Sequence, residues 1–591
     1  MQPKPSLNHP STLPSGERSQ DWFQLGLRFL EHRSCLPLIL VIAVGLRVGH
    51  ILDIRSTIYF EHLDLDPEVF DLWGRQIAAG DWLGKQMFFV GPLYPYFLGI
   101  FYKTVGRNLL LLRLAQAGLG VTTCLLTARI GHRIFGRAVG NGAALLLCLY
   151  KPAIFYEAEV EKTVLAVFLF TLALLLFFRP TWFSRLLSGL FFGLSTIGRA
   201  NLLILAPLFV LYLFVGRQTT DGKRRWLTAA TPWLFGFLFV LSPVLVRNHH
   251  VGGEWAVTTS AGQNFYIGNN PLNETGGYCF LPFVRPTPLH EEEDFRTAAE
   301  VELGRTLKPG EVSRHFFQKA WAHVCDHPSF AAKMVLRKLI LLLNDYELPD
   351  NQDMYFLASG SLVLRLPLLS FGWLLAPALL GLTRCLRNRE AKLTASLLGL
   401  FFASIVAFFV QARFRMPLVP VVALFAASGL GWLVAQFRAW QLRRLVLAGV
   451  PMVGVSILSF SMPAGQDRTV SLALSLQNLA ALHSRVGQYD RAVSEYERSL
   501  SLLPKNDAAL RDLGVLYRTV GRLDKAAEVL DLCLATNPQH PDAWFQLGQV
   551  EQARGRLEHA ARAYRQALVV SPQNHEAARA LTGIGPPASS R

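Results

Sequence analysis

Charge is scarce in this chain. Only 17% of its residues are Asp, Glu, Lys or Arg while 51% are apolar, a balance outside the range of ordinary soluble domains and of disordered chains. Paired cysteines are missing as well. The 7 cysteines stand singly at 35, 124, 148, 279, 325, 385 and 533, which excludes a CxxC dithiol and the usual zinc-ligand spacings. Cys279 and Cys325 share one long loop, where a disulfide and two unrelated thiols both stay open. No Gly-rich loop of phosphate-cradling spacing is present. The first 30 residues, rich in Pro and Ser, lack an apolar core followed by a small-residue cleavage site. The expectation is therefore that no signal peptide is removed and that the first apolar span targets the chain.

What is present is a series of long apolar runs. After Arg28 and Arg33 the first covers about 35–52, and others of a length that crosses a bilayer as helix follow at roughly 108–128, 138–152, 160–178, 186–198, 200–215, 228–246, 362–383, 394–411, 416–437 and 445–461. This reading gives about eleven spans. The segment 87–106 is kept as an interfacial helix, because then every strongly basic turn falls on one side. Those turns are Arg129 to Arg137, Arg179 with Arg185, Arg217 with Lys223 to Arg225, Arg384 to Lys392, and Arg438 with Arg443 and Arg444. The formal net charge of +16 is thus accounted for by cytoplasmic turns, and no nucleic-acid partner is expected. The N-terminal tail, 1–34, is expected inside. The core, 35–465, sends a first loop, 53–107, and a large loop, 247–357, to the extracytoplasmic side, together with everything after Met462.

The tail carries a repeat. Pro504, Pro538 and Pro572 are 34 residues apart, as are Gly487, Gly521 and Gly555, with Ala492, Tyr517, Ala526, Gly548, Ala560 and Tyr564 at helical positions between them. This is the tetratricopeptide pattern, expected over 474–580, and such arrays usually bind a protein or peptide on their concave face. The expected fold class is all-α: a polytopic transmembrane helical bundle with a C-terminal α-helical solenoid.

Ionisable residues at membrane level cost free energy and mark functional sites. They gather at the outer ends of the spans: Asp64 and Asp66, the run Glu157, Glu159, Glu161 and Lys162, then Arg199, Arg247, Arg413 and Arg415. Carboxylates facing fixed cations suit a base working beside a bound phosphate. A transporter would hold its key residues near mid-membrane beside broken helices, so charges at one face favour an enzyme.

Taken in order, DxxxF (66–70), IAAGDW (77–82), GPLYPYFLGIFY (91–102), GHRIFGRAVG (131–140), RANLLILAPL (199–208), GQNFYIGNNP (262–271), NDYELPDN (344–351) and RFRMPLVP (413–420) resemble membrane glycosyltransferases of the C type. The chain is most similar to bacterial relatives of protein O-mannosyltransferases and lipid A aminoarabinose transferases. The resemblance implies transfer of a sugar, with inversion, from a polyprenyl-phosphate donor to a hydroxyl of a protein, lipid or glycan acceptor at the outer face of a bacterial inner membrane, with membrane lipid around the core. No cofactor is required, and a divalent cation is left open. The family pattern selects Asp66 as base, with an N-cap as the alternative. Asp64 is then a supporting catalytic residue or a solvated one. Arg413 and Arg415 fall where the family's basic motif holds the carrier phosphate, and Arg199, Lys162, Lys85 and Glu161 are the further donor-site candidates. Arg247 is taken to fix the base of the large loop.

Weaker signals remain. The run HEEED (290–294) with His249, His250 and Glu254 offers a metal site or, more commonly, a solvated face. Asn264, Tyr266, Asn269 and Asn270 suit either a sugar or an Asn-rich turn. Asn344, Asp345 and Glu347 stand where they would close the site. A different class of function also fits: a membrane-anchored tetratricopeptide assembly factor without transferase activity. A flippase for the same lipid is the third reading.

Overall fold

The computed structural model describes residues 28–215, 222–285, 287–385, 388–461 and 467–584, apart from the side chains of 222–227 and Cys385. The expected N-terminal tail as far as residue 27, Arg217, the side chains of Lys223 to Arg225, Arg387 and the linker residues 462–466 lie outside the described residues. Among the described residues the chain is helical throughout, with one isolated bridge between Tyr150 and Leu369. Two compact units emerge. A core unit comprises Met1–Ser56, Leu65–Met354 and Ala358–Ala464, and a repeat unit comprises Thr57–Asp64, Tyr355–Leu357 and Gly465–Arg591.

Among the described residues of the core unit, 6 helices are long and apolar enough to cross a membrane: Cys35–Ile54, Leu109–Ile134, Thr228–Gly252, Arg389–Ala407, Ala412–Arg438 and Leu442–Phe460. Lys151–Ala158 and Thr163–Phe177 make a seventh only as a single span bent by 116°. The expected eleven are therefore not all present as full-length helices, and the differences have local causes. The run expected at 362–383 is cut near Pro367, where Leu369 donates its N–H to the Leu149 carbonyl and accepts from Lys151 N–H instead of continuing a helix. The run 200–215 opens as a 3-10 turn, Ala200–Leu205, and only Ala206–Val215 is α-helical. Within the segment left as interfacial, the helix Leu93–Val105 has 13 residues, short of the ~20 that crossing needs.

Glycine lets these helices meet backbone to backbone. A Cβ at Gly189 would collide with the Trp233 carbonyl, one at Gly381 with that of Phe425, and one at Gly429 with that of Pro377. Close approach of this kind supplies the van der Waals contact that holds helices together where the hydrophobic effect is weak.

The repeat unit contains helix pairs Arg468–Arg485 with Tyr489–Leu502, Asp507–Thr519 with Leu523–Thr536, and Pro541–Ala553 with Leu557–Val570, followed by His575–Ile584. The 34-residue glycine period has a backbone origin. Gly487, Gly521 and Gly555 have φ of +79°, +77° and +75° with open space where a Cβ would point, so the left-handed turn between paired helices selects them. Ala492, Leu513, Tyr517, Ala526 and Leu530 form the buried seam between repeats. The same unit takes in the first-loop piece 57–64, where Asp64 Oδ1 pairs with Arg485 at 3.0 Å.

Candidate functional site

Asp66 is presented by an irregular backbone. Leu65, directly before it, has φ of +56° and ψ of −134° and caps the helix Asp66–Ala78 without a side-chain hydrogen bond. A leucine in that region costs about 1–3 kcal/mol, and such strain gathers at functional sites. Pro67 sits in the first turn, and Phe70 buries its ring edge-on against Tyr94. Gly74 and Gly99 let this helix lie tightly on Leu93–Val105. The N-cap reading of Asp66 is thus corrected: the residue is inside the helix and its carboxylate points to a different partner.

That partner is Arg413. Its Nη2 donates to Asp66 Oδ2 at 2.9 Å and its Nη1 to Glu161 Oε1 at 3.0 Å, while its Nε pairs with Asp350 Oδ2. Arg413, 8% exposed, therefore gathers carboxylates from the first loop, the bent span and the end of the large loop. Asp350 is steadied by Gln411 Nε2 at 2.8 Å, and Asn351 Oδ1 accepts from Asp66 N–H at 3.4 Å. Arg199 donates Nη1 to the Arg413 carbonyl at 3.0 Å and lies 4.9 Å from the Phe414 ring centroid. Lys162 stands 5.4 Å over the Phe70 ring. The cluster balances Asp66, Glu161 and Asp350 against Arg413, Lys162 and Arg199.

Glu161 and Lys162 owe their positions to the bend. The helix Lys151–Ala158 stops, and the freed carbonyls are taken up by the neighbouring helix Leu109–Ile134: Gln116 Nε2 donates to Glu157 O at 2.9 Å and Glu159 O at 2.7 Å, and Arg113 Nε to Ala158 O at 2.9 Å. Irregular backbone at membrane depth needs such partners. Of the acidic triplet, Glu157 is drawn to Arg47, with Nε to Oε2 at 2.5 Å, and Glu161 is the one that meets Arg413. Key charges do sit at a broken helix, so the argument drawn from their placement against a transporter no longer holds.

The electrostatics separate the acids. Burial alone would raise the Asp66 carboxyl, but the charges of Arg413 and Lys162 outweigh it and bring it below the usual carboxylate range. Asp350 moves the other way, to about 6, because burial is reinforced by the negative charges of Asp66 and Glu161 despite Arg413.

Other expected site residues are placed elsewhere. Arg415 is 1% exposed and donates to Glu347 Oε1 at 2.7 Å and the Asn344 carbonyl at 2.5 Å. It forms a buried pair apart from Arg413, with Asn344 and Asp345 tied to backbone at Tyr346 and Gly372. Lys85 is exposed on the first loop, and no contact among the described residues joins it to the cluster. Asp64 is held by Arg485 within the repeat unit. Arg247, taken to fix the base of the large loop, is turned to the first loop, stacking 3.9 Å from Phe88 and donating Nε to the Leu83 carbonyl at 2.7 Å.

Asn264, Asn269 and Asn270 give their amides to backbone carbonyls, which favours the turn reading over a sugar contact. Among the described residues no group of His, Cys, Asp and Glu is arranged to hold a metal. His249 stacks on Trp255 and Glu254 accepts from Gly310 N–H. The sequence reading passed over an HxxxH spacing, His323 and His327, whose rings lie 4.5 Å apart without a third ligand. Cys279 and Cys325 are free thiols, so the disulfide alternative falls. Asp350 and Gln411 were missed as site residues; the signal was available for the first, as the acid that ends ELPD.

Residues 90–247 match the profile of the dolichyl-phosphate-mannose-protein mannosyltransferase family. Residues 485–547 and 541–582 match tetratricopeptide repeat profiles. The first match takes in the segments 91–102, 131–140 and 199–208 that carried the sequence resemblance, and it stops short of Asp66 and Arg413. Among solved structures, the chain is similar to the first TPR domain of human RPAP3, at 25% identity over 20% of this chain and 91% of that one, TM-score 0.19. The Sgt2 TPR domain of Aspergillus fumigatus is similar at 22% identity over 20% and 87%, TM-score 0.19. The Arabidopsis OM64 TPR domain is similar at 18% over 20% and 96%, TM-score 0.19. No curated protein matches the chain.

Proposed function

We propose that this chain is an integral membrane glycosyltransferase that moves a sugar from a polyprenyl-phosphate carrier to an acceptor hydroxyl, with inversion and with Asp66 as base. The observation that carries the reading is the convergence of Asp66, Glu161 and Asp350 on Arg413 beside Lys162 and Arg199, in a chain whose residues 90–247 match a mannosyltransferase family. In the reaction the acceptor oxygen attacks the anomeric carbon and its O–H proton passes to Asp66. The bond from that carbon to the phosphate oxygen breaks with its electron pair, and the phosphate gains one negative charge. Arg413 has its donors directed at carboxylates, so Lys162 and Arg199 are the cations left to meet that charge. Arg413 organises the base, and Arg415 fixes the segment that supplies Asp350.

The repeats are proposed to stand outside a bacterial inner membrane, with the N-terminus in the cytoplasm, and to recruit a protein partner or the acceptor. A cysteine introduced near Gln573 should react with an impermeant reagent in right-side-out vesicles; labelling only after permeabilisation reverses the topology. The transferase itself is tested by purified full-length protein in nanodiscs given polyprenyl-phosphate mannose, where release of polyprenyl phosphate is expected. The bent span favours a second reading, lipid translocation. Movement of the lipid across the bilayer with no bond cleaved would decide for it.

A further inference from the structure

Apart from the Arg413 cluster, a buried ion pair lies among the spanning helices and takes no part in the transfer described above. Arg47, within the helix Cys35–Ile54, is 1% exposed. Its Nε donates to Glu157 Oε2 at 2.5 Å, its Nη2 to Glu157 Oε1 at 3.1 Å, and its Nη1 to the Ala43 carbonyl at 3.3 Å. Gly120 makes room for that carboxylate, because a Cβ there would strike it. Only residues 159–162 separate the helix Lys151–Ala158, which carries Glu157, from the helix Thr163–Phe177, and Glu161 lies among them. Glu161 Oε2 accepts from Thr163 N–H at 2.8 Å, and Oε1 is turned to Arg413 at 3.0 Å. The elbow between the two arms holds a cavity, lined by Ala153, Tyr156 and Glu157 from one arm and by Thr163, Val164 and Val167 from the other.

We infer that Arg47, acting through Glu157, is a positioning residue for the transfer reaction proposed above, on which this inference rests. It fixes the near end of the break so that Glu161 meets Arg413, and Arg413 in turn holds Asp66. A buried ion pair is an inefficient way to stabilise a fold, since well-packed apolar residues of similar volume serve as well or better. Ionisable groups among spanning helices are costly, and by default they mark function. What a guanidinium gripping a carboxylate at two points supplies, and apolar packing does not, is a fixed direction. The 116° bend of the span depends on direction. Gln116 and Arg113 satisfy the carbonyls of Glu157, Glu159 and Ala158 at the break, but the cavity in the elbow leaves the arms less side-chain contact by which to keep their angle. Arg47 supplies the missing tie from another helix. In a site assembled from distant segments, a displacement of ~1 Å is enough to cost about 100-fold in rate.

The test is a double-mutant cycle read as polyprenyl phosphate release from polyprenyl-phosphate mannose by full-length protein in nanodiscs. Arg47→Lys keeps the charge and loses the two-point grip. It should slow release about 10-fold, with the thermal unfolding midpoint as in wild type. Glu161→Gln, which weakens the contact with Arg413, should slow release at least as much. If Arg47 acts through Glu161, the combined variant releases at the rate of Glu161→Gln alone, because the contact that Arg47 sets is already lost. A role confined to the fold gives instead the product of the two losses, and that result overturns the inference. So does a wild-type rate in either single variant. Should Arg47→Lys fail to insert, Arg47→Met combined with Glu157→Leu carries the same cycle, since it removes both charges together; failure of that variant to fold as well overturns the inference, because the fold itself then needs the pair. If wild type releases no polyprenyl phosphate, the transferase reading fails first and is recognised as the failure because no variant is involved.

Discussion

The core and repeat units reach order by opposite means. In the repeat unit the contacts run between neighbouring helix pairs, the same glycine returns every 34 residues at the same φ, and buried alanines and tyrosines repeat in step. In the core unit order depends on partners far apart in sequence: Arg413 meets residues 347, 252 and 63 positions away, at Asp66, Glu161 and Asp350. Stability in the first is a sum of nearest-neighbour terms; in the second it hangs on a few buried charges that are costly to leave alone. Buried free thiols stand in both units, among them Cys124 in the core and Cys533 in the repeats, so thiol labelling mapped to these two residues by mass spectrometry reports the unfolding of each.

Arg413→Ala should break the contrast most sharply. It strands three carboxylates, so the core is expected to lose about 3–5 kcal/mol, with Cys124 reacting at a markedly lower temperature and Cys533 unchanged. Early exposure of both thiols would show that the units unfold together. Next comes Asp66→Asn. The amide keeps size but cannot take a proton, and turnover should fall by about 100-fold with donor binding retained; Asp64→Asn should fall less. If the two variants exchange these phenotypes, Asp64 is the base.

Gly521→Ala should produce the mirror image at smaller scale. A Cβ at φ of +77° costs about 1–2 kcal/mol, read as earlier exposure of Cys533 with Cys124 and turnover intact. The smallest effect is expected from Arg485→Ala. It removes a half-exposed pair with Asp64 worth at most ~1 kcal/mol, and its thermal profile should nearly overlay wild type.

The repeats were legible because a period of 34 leaves the same residue type at each turn, and local backbone geometry alone explains it. The long apolar helices were legible from length. Their interruptions were not, since the break at 159–162 is set by Gln116 and Arg113 on another helix and the one near Pro367 by a bridge to the strand-like piece at 149–151. Asp66 could be singled out from its motif, but its partner could not: Arg413 and Arg415 lie in one 3-10 turn, Ala412–Leu418, and two residues of separation there is enough to send one to the Asp66 cluster and the other to Glu347.

The equal count of opposite charges around Arg413 has a consequence for how a ligand arrives. A patch of one sign projects a field that gathers oppositely charged molecules from a distance, but alternating charges within one cluster cancel beyond its own dimensions. At physiological ionic strength even an unbalanced field would fade over ~8 Å. A lipid-borne anion would feel Lys162 and Arg199 only on contact, so its delivery belongs to lateral diffusion in the bilayer, and its capture should change little with added salt.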